Sequence, residues 1–232
     1  MLSEKVLERR KWKHKLYDKL LTSSILRVLP DYIDKGRLTI DVGGNSGYQT
    51  YFHAKYNNVV TYEPVPELFE VLQHNLKELD NVTLINKAVT DTDRDITLHV
   101  DVNRLSMTSQ MPLVESEAIT VPGVALDNEG WDDVGFIKVD VEGYELDVLD
   151  GCKHLVDKCR PTMMVEVYQP WCDKVGFDSE QIFEYFDCRG YSIKYYDNEN
   201  ITMVDCTVPQ AVDAVHNLHH LHDGDFLFVA NQ

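Results

Sequence analysis

Leu38-Thr-Ile-Asp-Val-Gly-Gly-Asn-Ser-Gly47 runs from an apolar strand pattern straight into a glycine-rich turn and then into a helix pattern. The next apolar run, Val59-Val-Thr-Tyr-Glu63, closes on a carboxylate 22 positions after Asp41. A strand, a turn without bulky side chains and an acidic residue about 20 positions on is the arrangement by which a βαβ unit holds a nucleoside. The glycines let backbone approach the ligand. The carboxylate accepts hydrogen bonds from ribose hydroxyls.

The details of the turn select among nucleosides. A dinucleotide site requires G-x-G-x-x-G, because its pyrophosphate sits against helix N-terminal amides. Here the pattern is Asp41-x-Gly43-x-Asn45-x-Gly47, and no third glycine falls where that fingerprint needs it. An acid at the strand end repels a pyrophosphate but suits a cationic amino-acid portion. S-adenosylmethionine carries both an ammonium and a sulfonium. The plain alternative is an ordinary strand-to-helix turn, against which the paired acids Asp41 and Glu63 stand.

Outward from this segment, strand and helix patterns alternate. Strand-like runs cover 37–42, 58–63, 81–86, 95–100, 119–124, 134–140, 161–167, 191–195 and 225–230; helix-like runs cover 47–55, 66–79, 145–158 and 179–188. Ser46 or Asn45 is positioned to cap the first of these helices, and Pro66 suits the first turn of the second. The alternation predicts an α/β, doubly wound, mostly parallel sheet with helices on both faces. Residues 3–29 read as one amphipathic helix ended by Pro30, giving an N-terminal helical extension over 1–36 and a Rossmann-like domain over 37–232. Segment 87–125 breaks the rhythm and reads as a β-hairpin or flap inserted near the ligand end of the sheet.

A second segment carries chemistry: Phe136-Ile-Lys-Val-Asp-Val-Glu-Gly-Tyr-Glu-Leu-Asp-Val-Leu-Asp-Gly151. Apolar Val134, Phe136, Ile137 and Val139 make a central strand, interrupted by Lys138, Asp140 and Glu142 at alternate positions. Charges on a buried parallel strand are costly unless paired or functional. In doubly wound folds the ligand crevice lies beyond the carboxyl ends of the strands, where Asp140, Glu142 and Gly143 fall. Glu166, closing Thr162-Met-Met-Val-Glu166, reaches the same end of the neighbouring strand. A purely structural lysine–carboxylate network is the alternative and is compatible with a functional one.

With both segments in view, the chain resembles the FkbM family of S-adenosylmethionine-dependent methyltransferases, within the class I, Rossmann-like methyltransferases. The resemblance rests on Ile40-Asp-Val-Gly-Gly-Asn-Ser-Gly-Tyr-Gln-Thr50, Val60-Thr-Tyr-Glu-Pro64, Asn75, Asn86-Lys-Ala88, Phe136-Ile-Lys-Val-Asp-Val-Glu-Gly-Tyr-Glu145 and the following Gly151. The first segment indicates only the superfamily; the Ile137-to-Glu145 run makes the family. One mild departure is Gly44, where such proteins more often carry alanine. The resemblance implies a seven-stranded sheet and methyl transfer from the sulfonium of S-adenosylmethionine, commonly to a sugar hydroxyl. It implies Asp41, Gly43, Asn45 and Gly47 at the methionine end of the cofactor, Glu63 on the ribose, and Asn86 and Ala88 near the adenine. Asp140 is then the candidate base or acceptor-orienting group, tuned by Lys138, with Glu142 and Glu166 shaping the acceptor pocket.

Composition narrows the partners. At 232 residues, 44% hydrophobic and 26% charged, the chain is that of a soluble globular protein of one α/β domain. It has neither a membrane-span-length apolar run nor a signal-peptide core, so the expected location is the cytoplasm. Cys152, Cys159, Cys172, Cys188 and Cys206 show no C-x-x-C spacing and read as reduced thiols. The first 37 residues hold ten Lys/Arg against five Asp/Glu, so the remaining 195 carry −22 of the −17 total. A body this acidic repels a phosphate backbone, which makes nucleic acid a poor substrate. The basic run Arg9–Lys15 reads as a solvated helix face, and the amphipathic first helix as a candidate homodimer contact.

Metal is weighed and not assigned. A divalent cation on Asp140, Glu142 and Glu166 is chemically reasonable, since hard cations take carboxylate oxygens, but the resemblance does not demand one. His216, His219, His220 and His222 read as a polar loop entering the last strand, one of which could contact the acceptor. Two other functions compete: an NAD-dependent sugar-modifying enzyme, opposed by the missing third glycine, and a methyltransferase-like subunit that binds cofactor without turnover. The acceptor itself, a glycan or a small molecule, is not written in any motif.

Overall fold

The computed structural model describes residues 25–101, 108–109, 116–217 and 224–231. Most of the segment read as the first helix, the basic run, and His219, His220 and His222 lie outside them, as does the candidate dimer contact.

Strand β1 (Leu38–Val42) leads through the glycine turn into helix α1 (Tyr48–His53), and β2 (Val59–Tyr62) leads into α2 (Pro66–Leu76) and β3 (Val82–Ile85). Pro66 opens α2 as expected, where a missing N–H costs nothing. The cap of α1 is Gly47 rather than Ser46 or Asn45: its φ of 90° puts the chain in the left-handed region. Four strands follow, two of them only two residues long: β4 (Ala88–Val89), β5 (Arg94–Asp101), β6 (Thr108–Ser109) and β7 (Ser116–Val124). β5 and β7 form the antiparallel hairpin expected in segment 87–125, within a separate sheet of order β4-β7-β5-β6. Val100 of this sheet packs on Val65 and Leu68, at the start of α2.

The chain returns to the main sheet as β8 (Val134–Val139), every residue of which is buried. The predicted helix 145–158 is two helices, α3 (Glu145–Asp150) and α4 (Lys153–Cys159). They part at Gly151, where an added Cβ would meet the carbonyl oxygen of Thr90 at 2.0 Å. Then come β9 (Thr162–Glu166), α5 (Gln169–Val175), α6 (Glu180–Asp187), β10 (Tyr191–Asp197), β11 (Thr202–Cys206), α7 (Val208–His216) and β12 (Asp225–Ala230).

The main sheet has eight strands, not seven, in the order β11-β10-β12-β9-β8-β1-β2-β3. The extra member is β11, which folds back antiparallel on β10 and pairs at the open edge. Its alternating, half-exposed residues lack the apolar run that marks the inner strands. β9, β8, β1, β2 and β3 are parallel, and β12 enters antiparallel between β9 and β10. Strand order reverses between β1 and β8, so a crevice opens beyond their carboxyl ends.

Two apolar layers cover the sheet. One face packs Val148, Leu149, Val156, Phe183, Phe186 and Val215 of the helices against Ile40, Ile137, Val165 and Phe228. On the other, Phe136, Met164 and Leu227 meet Phe52 of α1 and Ile25, Leu26, Leu29 and Ile33. Residues 25–33 are not a continuous α-helix: Ile25–Arg27 and Leu29–Asp31 are single 3₁₀ turns, folded onto this face rather than extended from it.

Candidate functional site

Sheet register assembles the site. Asp41 on β1 sits beside Lys138 on β8. One step on, Val139 pairs with Val165, which sets Asp140 beside Glu166. Across the next pair, Asp225 of β12 stands opposite Glu166. Side chains two apart on a strand share a face, so Asp41, Lys138, Asp140, Glu166 and Asp225 all emerge on one side, at the carboxyl ends of the parallel strands.

Lys138 is the hub. Its ammonium lies 3.3 Å from Asp41 Oδ1 and 3.4 Å from Asp140 Oδ2. It also donates to the carbonyls of Val42 at 3.2 Å and Gly43 at 2.7 Å. The Lys138 and Asp41 side chains are buried, whereas that of Asp140 is 36% exposed at the rim. Burial alone would push the Lys138 ammonium down; the charges of Asp41 and Asp140 outweigh it and hold it above its ordinary value. The charged alternation of the β8 motif is therefore paired, as its burial demands. Asp41 is further fixed by Thr50, whose hydroxyl donates to Asp41 Oδ2 at 2.6 Å and accepts from Thr61 at 3.3 Å.

The turn after β1 is held at both ends. The amides of Gly43 and Gly44 both donate to the carbonyl of Tyr62 at 3.0 Å. Asn75 Nδ2 donates to the carbonyl of Ser46 at 2.8 Å. Asn45 takes a left-handed φ of 49°, and its amide donates to Glu63 Oε2 at 2.7 Å. The other Glu63 oxygen accepts from the amide of Val65 at 2.9 Å. Burial nevertheless lifts the Glu63 carboxyl to about 7, against these amides. Asn86 secures the same corner, donating through Nδ2 to the carbonyls of Glu63 and Pro64.

On the β8 side, Glu142 and Gly143 take φ of 55° and 102° in succession, which turns the chain sharply out of the strand. Glu145 underpins this turn: its carboxylate accepts from the amides of Gly143 at 3.1 Å and Val141 at 3.3 Å. Glu166 is raised well above the carboxylate range by burial, by the charges of Asp140, Asp225 and Glu145, and by a hydrogen bond with Asp140. Burial and Asp140 likewise lift Asp225 to about 7.

Of the residues singled out from sequence, Asp41, Lys138, Asp140 and Glu166 meet in one node. Asn45, Glu63 and Asn86 meet in a second, joined to the first by Gly43. Gly47 abuts Leu72 and Leu76 of α2. Ala88 lies apart, in the core of the small sheet with Ile96, Leu98 and Val121. Sequence reading gave no site role to Asp225, Thr50, Thr61 or Glu145. It also passed over His53, a fully buried imidazole depressed to about 4 by burial, packed 4.8 Å from the Phe136 ring. Among the described residues no group of three or more His, Cys, Asp or Glu is arranged to hold a metal ion, and no helix is long and apolar enough to cross a membrane. His216 ends α7, exposed.

The model of the methyltransferase FkbM domain family matches residues 41–193, well over half of the chain. No curated protein matches the sequence. Among solved structures, methyltransferase FkbM of Methylobacillus flagellatus superposes with a TM-score of 0.54 at 13% identity, over 97% of this chain and 57% of that one. The chain thus spans little more than half the length of that relative. An rRNA methylase of Streptococcus thermophilus gives 0.50 at 12% identity, over 87% of this chain and 90% of its own. A Streptococcus mutans protein assigned as a methyltransferase, solved in complex with SAH, gives 0.50 at 12% identity, over 87% and 92%. At these identities the likeness establishes a shared fold.

Proposed function

Since the chain belongs to the methyltransferase FkbM domain family, whose methyl donor is S-adenosylmethionine, we propose that it methylates a hydroxyl on a sugar, glycan or small-molecule acceptor. The observation that carries this reading is the Lys138 hub, one ammonium tying the cofactor turn at Asp41 to the acceptor rim at Asp140.

The residues present fit the cofactor. A carboxylate has about four lone-pair sites; two amides take two of those on Glu63 and orient the group, leaving the others for ribose hydroxyls. Gly43, at φ 88°, lets the turn enter the left-handed region and pass directly against the Asp140 carbonyl, which brings the two turns of the site together. Asp41, Gly43, Asn45 and Gly47 would hold the methionine end, with Asn86 maintaining the corner that carries Glu63. When bound, S-adenosylmethionine supplies an electrophilic methyl on a sulfonium.

Methyl transfer is an in-line displacement, so the protein contributes mainly by placing the acceptor oxygen opposite the sulfur. Asp140, half-open and anchored by Lys138, is placed to take the hydroxyl proton or orient the hydroxyl, an effect worth about 10²–10⁴-fold. Glu142, on the strained turn, and Glu166 line the acceptor side. The five cysteines are free thiols, which suits a reducing, cytoplasmic setting.

Calorimetry with SAH and with NAD, followed by tritium transfer from methyl-labelled S-adenosylmethionine, tests the reading. SAH binds and NAD does not, and Asp140→Asn retains SAH binding while losing at least a hundredfold in turnover. Stabilisation by NAD instead of SAH would overturn it, as would SAH binding with no transfer to any acceptor.

A further inference from the structure

We propose that Asp225, carried into the site by the antiparallel last strand, is a specificity-determining residue. With Glu166 and Asp140 it forms a row of carboxyls that engages an acceptor through uncharged hydroxyls and refuses one bearing phosphate beside the methylated position. The inference rests on the methyl-transfer reading and adds the acceptor's charge to it.

Geometry makes the row. Asp225 and Glu166 are directly opposed across β12 and β9, a pairing that brings Cβ atoms within about 4.5–5.5 Å on one face. Asp140 continues the line from β8, set beside Glu166 by the strand register, and its exposed side chain is the end that meets an incoming molecule. Glu145 lies close enough to add its field to Glu166.

The cation beside this row is already committed. Lys138 has three protons and four acceptors around it: Asp41, Asp140 and the carbonyls of Val42 and Gly43. Phosphate recognition needs an arginine fork, a free lysine or open helix amides. No lysine or arginine other than Lys138 is among the charges acting on Asp225, and an added dianion would meet the charge of Asp140, and that of Asp225 as it ionises near pH 7, in a half-buried site. Carboxyls that keep protons near neutrality behave differently toward a polyol. Each presents one O–H donor as well as acceptors, which matches a hydroxyl's own donor and acceptor. Burial and the charge of Asp140 place Asp225 and Glu166 in that condition.

The test uses the full chain, methyl-labelled S-adenosylmethionine and a panel of methyl glucoside, methyl galactoside, methyl rhamnoside and inositol with their matched monophosphates. The neutral members are methylated with kcat/KM at least tenfold above their phosphates. Asp225→Asn, isosteric with the protonated acid, narrows that ratio at least threefold and flattens the pH profile of transfer between 6 and 8. Glu166→Gln narrows it in the same sense, which covers the case of an unfolded Asp225 variant. SAH calorimetry separates the two levels. If the wild-type protein fails to bind SAH, the methyl-transfer reading itself falls. If SAH binds but phosphates are methylated as well as neutral members, no member is methylated, or the ratio is unmoved in both variants, this inference alone is overturned.

Discussion

A side chain at Gly43 would begin 2.1 Å from the carbonyl oxygen of Asp140. The turn after β1 and the turn after β8 therefore touch through backbone, with the Lys138 ammonium bonded to the Gly43 carbonyl at 2.7 Å. Gly43→Ala must both enter the left-handed region, at about 1–2 kcal/mol, and push the turns apart. The expected variant unfolds at lower urea and loses SAH binding at least tenfold. An unchanged urea midpoint with wild-type SAH affinity would show that the contact does not set the spacing of the two halves.

Lys138 neutralises two carboxylates in a buried setting, so its removal leaves them facing each other. Breaking a buried ion pair from one side costs about 3–5 kcal/mol. Lys138→Met is expected to lose that much by denaturant titration, and Lys138→Met with Asp41→Asn recovers part of it. A double variant no more stable than Lys138→Met would remove the ion pair from the account.

Much of this node was legible beforehand. Asp41, Lys138, Asp140 and Glu166 announce themselves as charges inside apolar strand patterns, and burial forces them to pair. Asp225 did not, because one acid ahead of Phe226-Leu-Phe-Val229 reads as a solvated strand flank. Only the antiparallel register with Glu166 gives it meaning, and register is a tertiary property. β11 was missed for a related reason: an edge strand is held by β10 on one side and needs no apolar run. Residues 25–33 kept their apolar residues but not the long helix, since packing on Phe136, Met164 and Leu227 decides their path. Pairing of Asn45 and Val65 amides with Glu63 was also invisible, because backbone amides leave no trace in sequence.

The buried acids set a pH dependence. Burial lifts Glu63, Glu145 and Asp225 to about 7, and Glu166 moves the same way. Their unfolded values lie near 4, so between about pH 4.5 and 7 the folded chain holds more protons than the unfolded one, and stability falls as pH rises. His53, depressed to about 4, acts oppositely below 6.5 but is one group against these four and Asp147, which burial also raises. The melting temperature without ligand is expected to be highest near pH 5 and to decline toward pH 8, less steeply in Asp225→Asn. A profile that is flat or rises across that range contradicts the assignment.

Gly44 stands where the family resemblance leads one to expect alanine, and the structure gives a local reason for glycine. A Cβ there would lie 2.3 Å from Thr61 Cγ2 and 3.2 Å from Leu72 Cδ2, so the methyl of Thr61 occupies the space an alanine would use. Its hydroxyl is needed elsewhere, in the chain from Thr61 through Thr50 to Asp41. Serine at 61 keeps that hydroxyl and removes only the methyl. Gly44→Ala alone should overpack the site and cost about 1–3 kcal/mol. Thr61→Ser alone should lose about 0.8 kcal/mol for the missing methyl. Together the two changes exchange one methyl for another, so the double variant should be more stable than Gly44→Ala and approach wild type, with a favourable coupling of at least about 1 kcal/mol by denaturant titration. SAH affinity should follow the same order, because the Gly44 amide is bonded to Tyr62 within the turn proposed to hold the cofactor. Strictly additive effects would mean that Gly44 is held by something other than the Thr61 methyl.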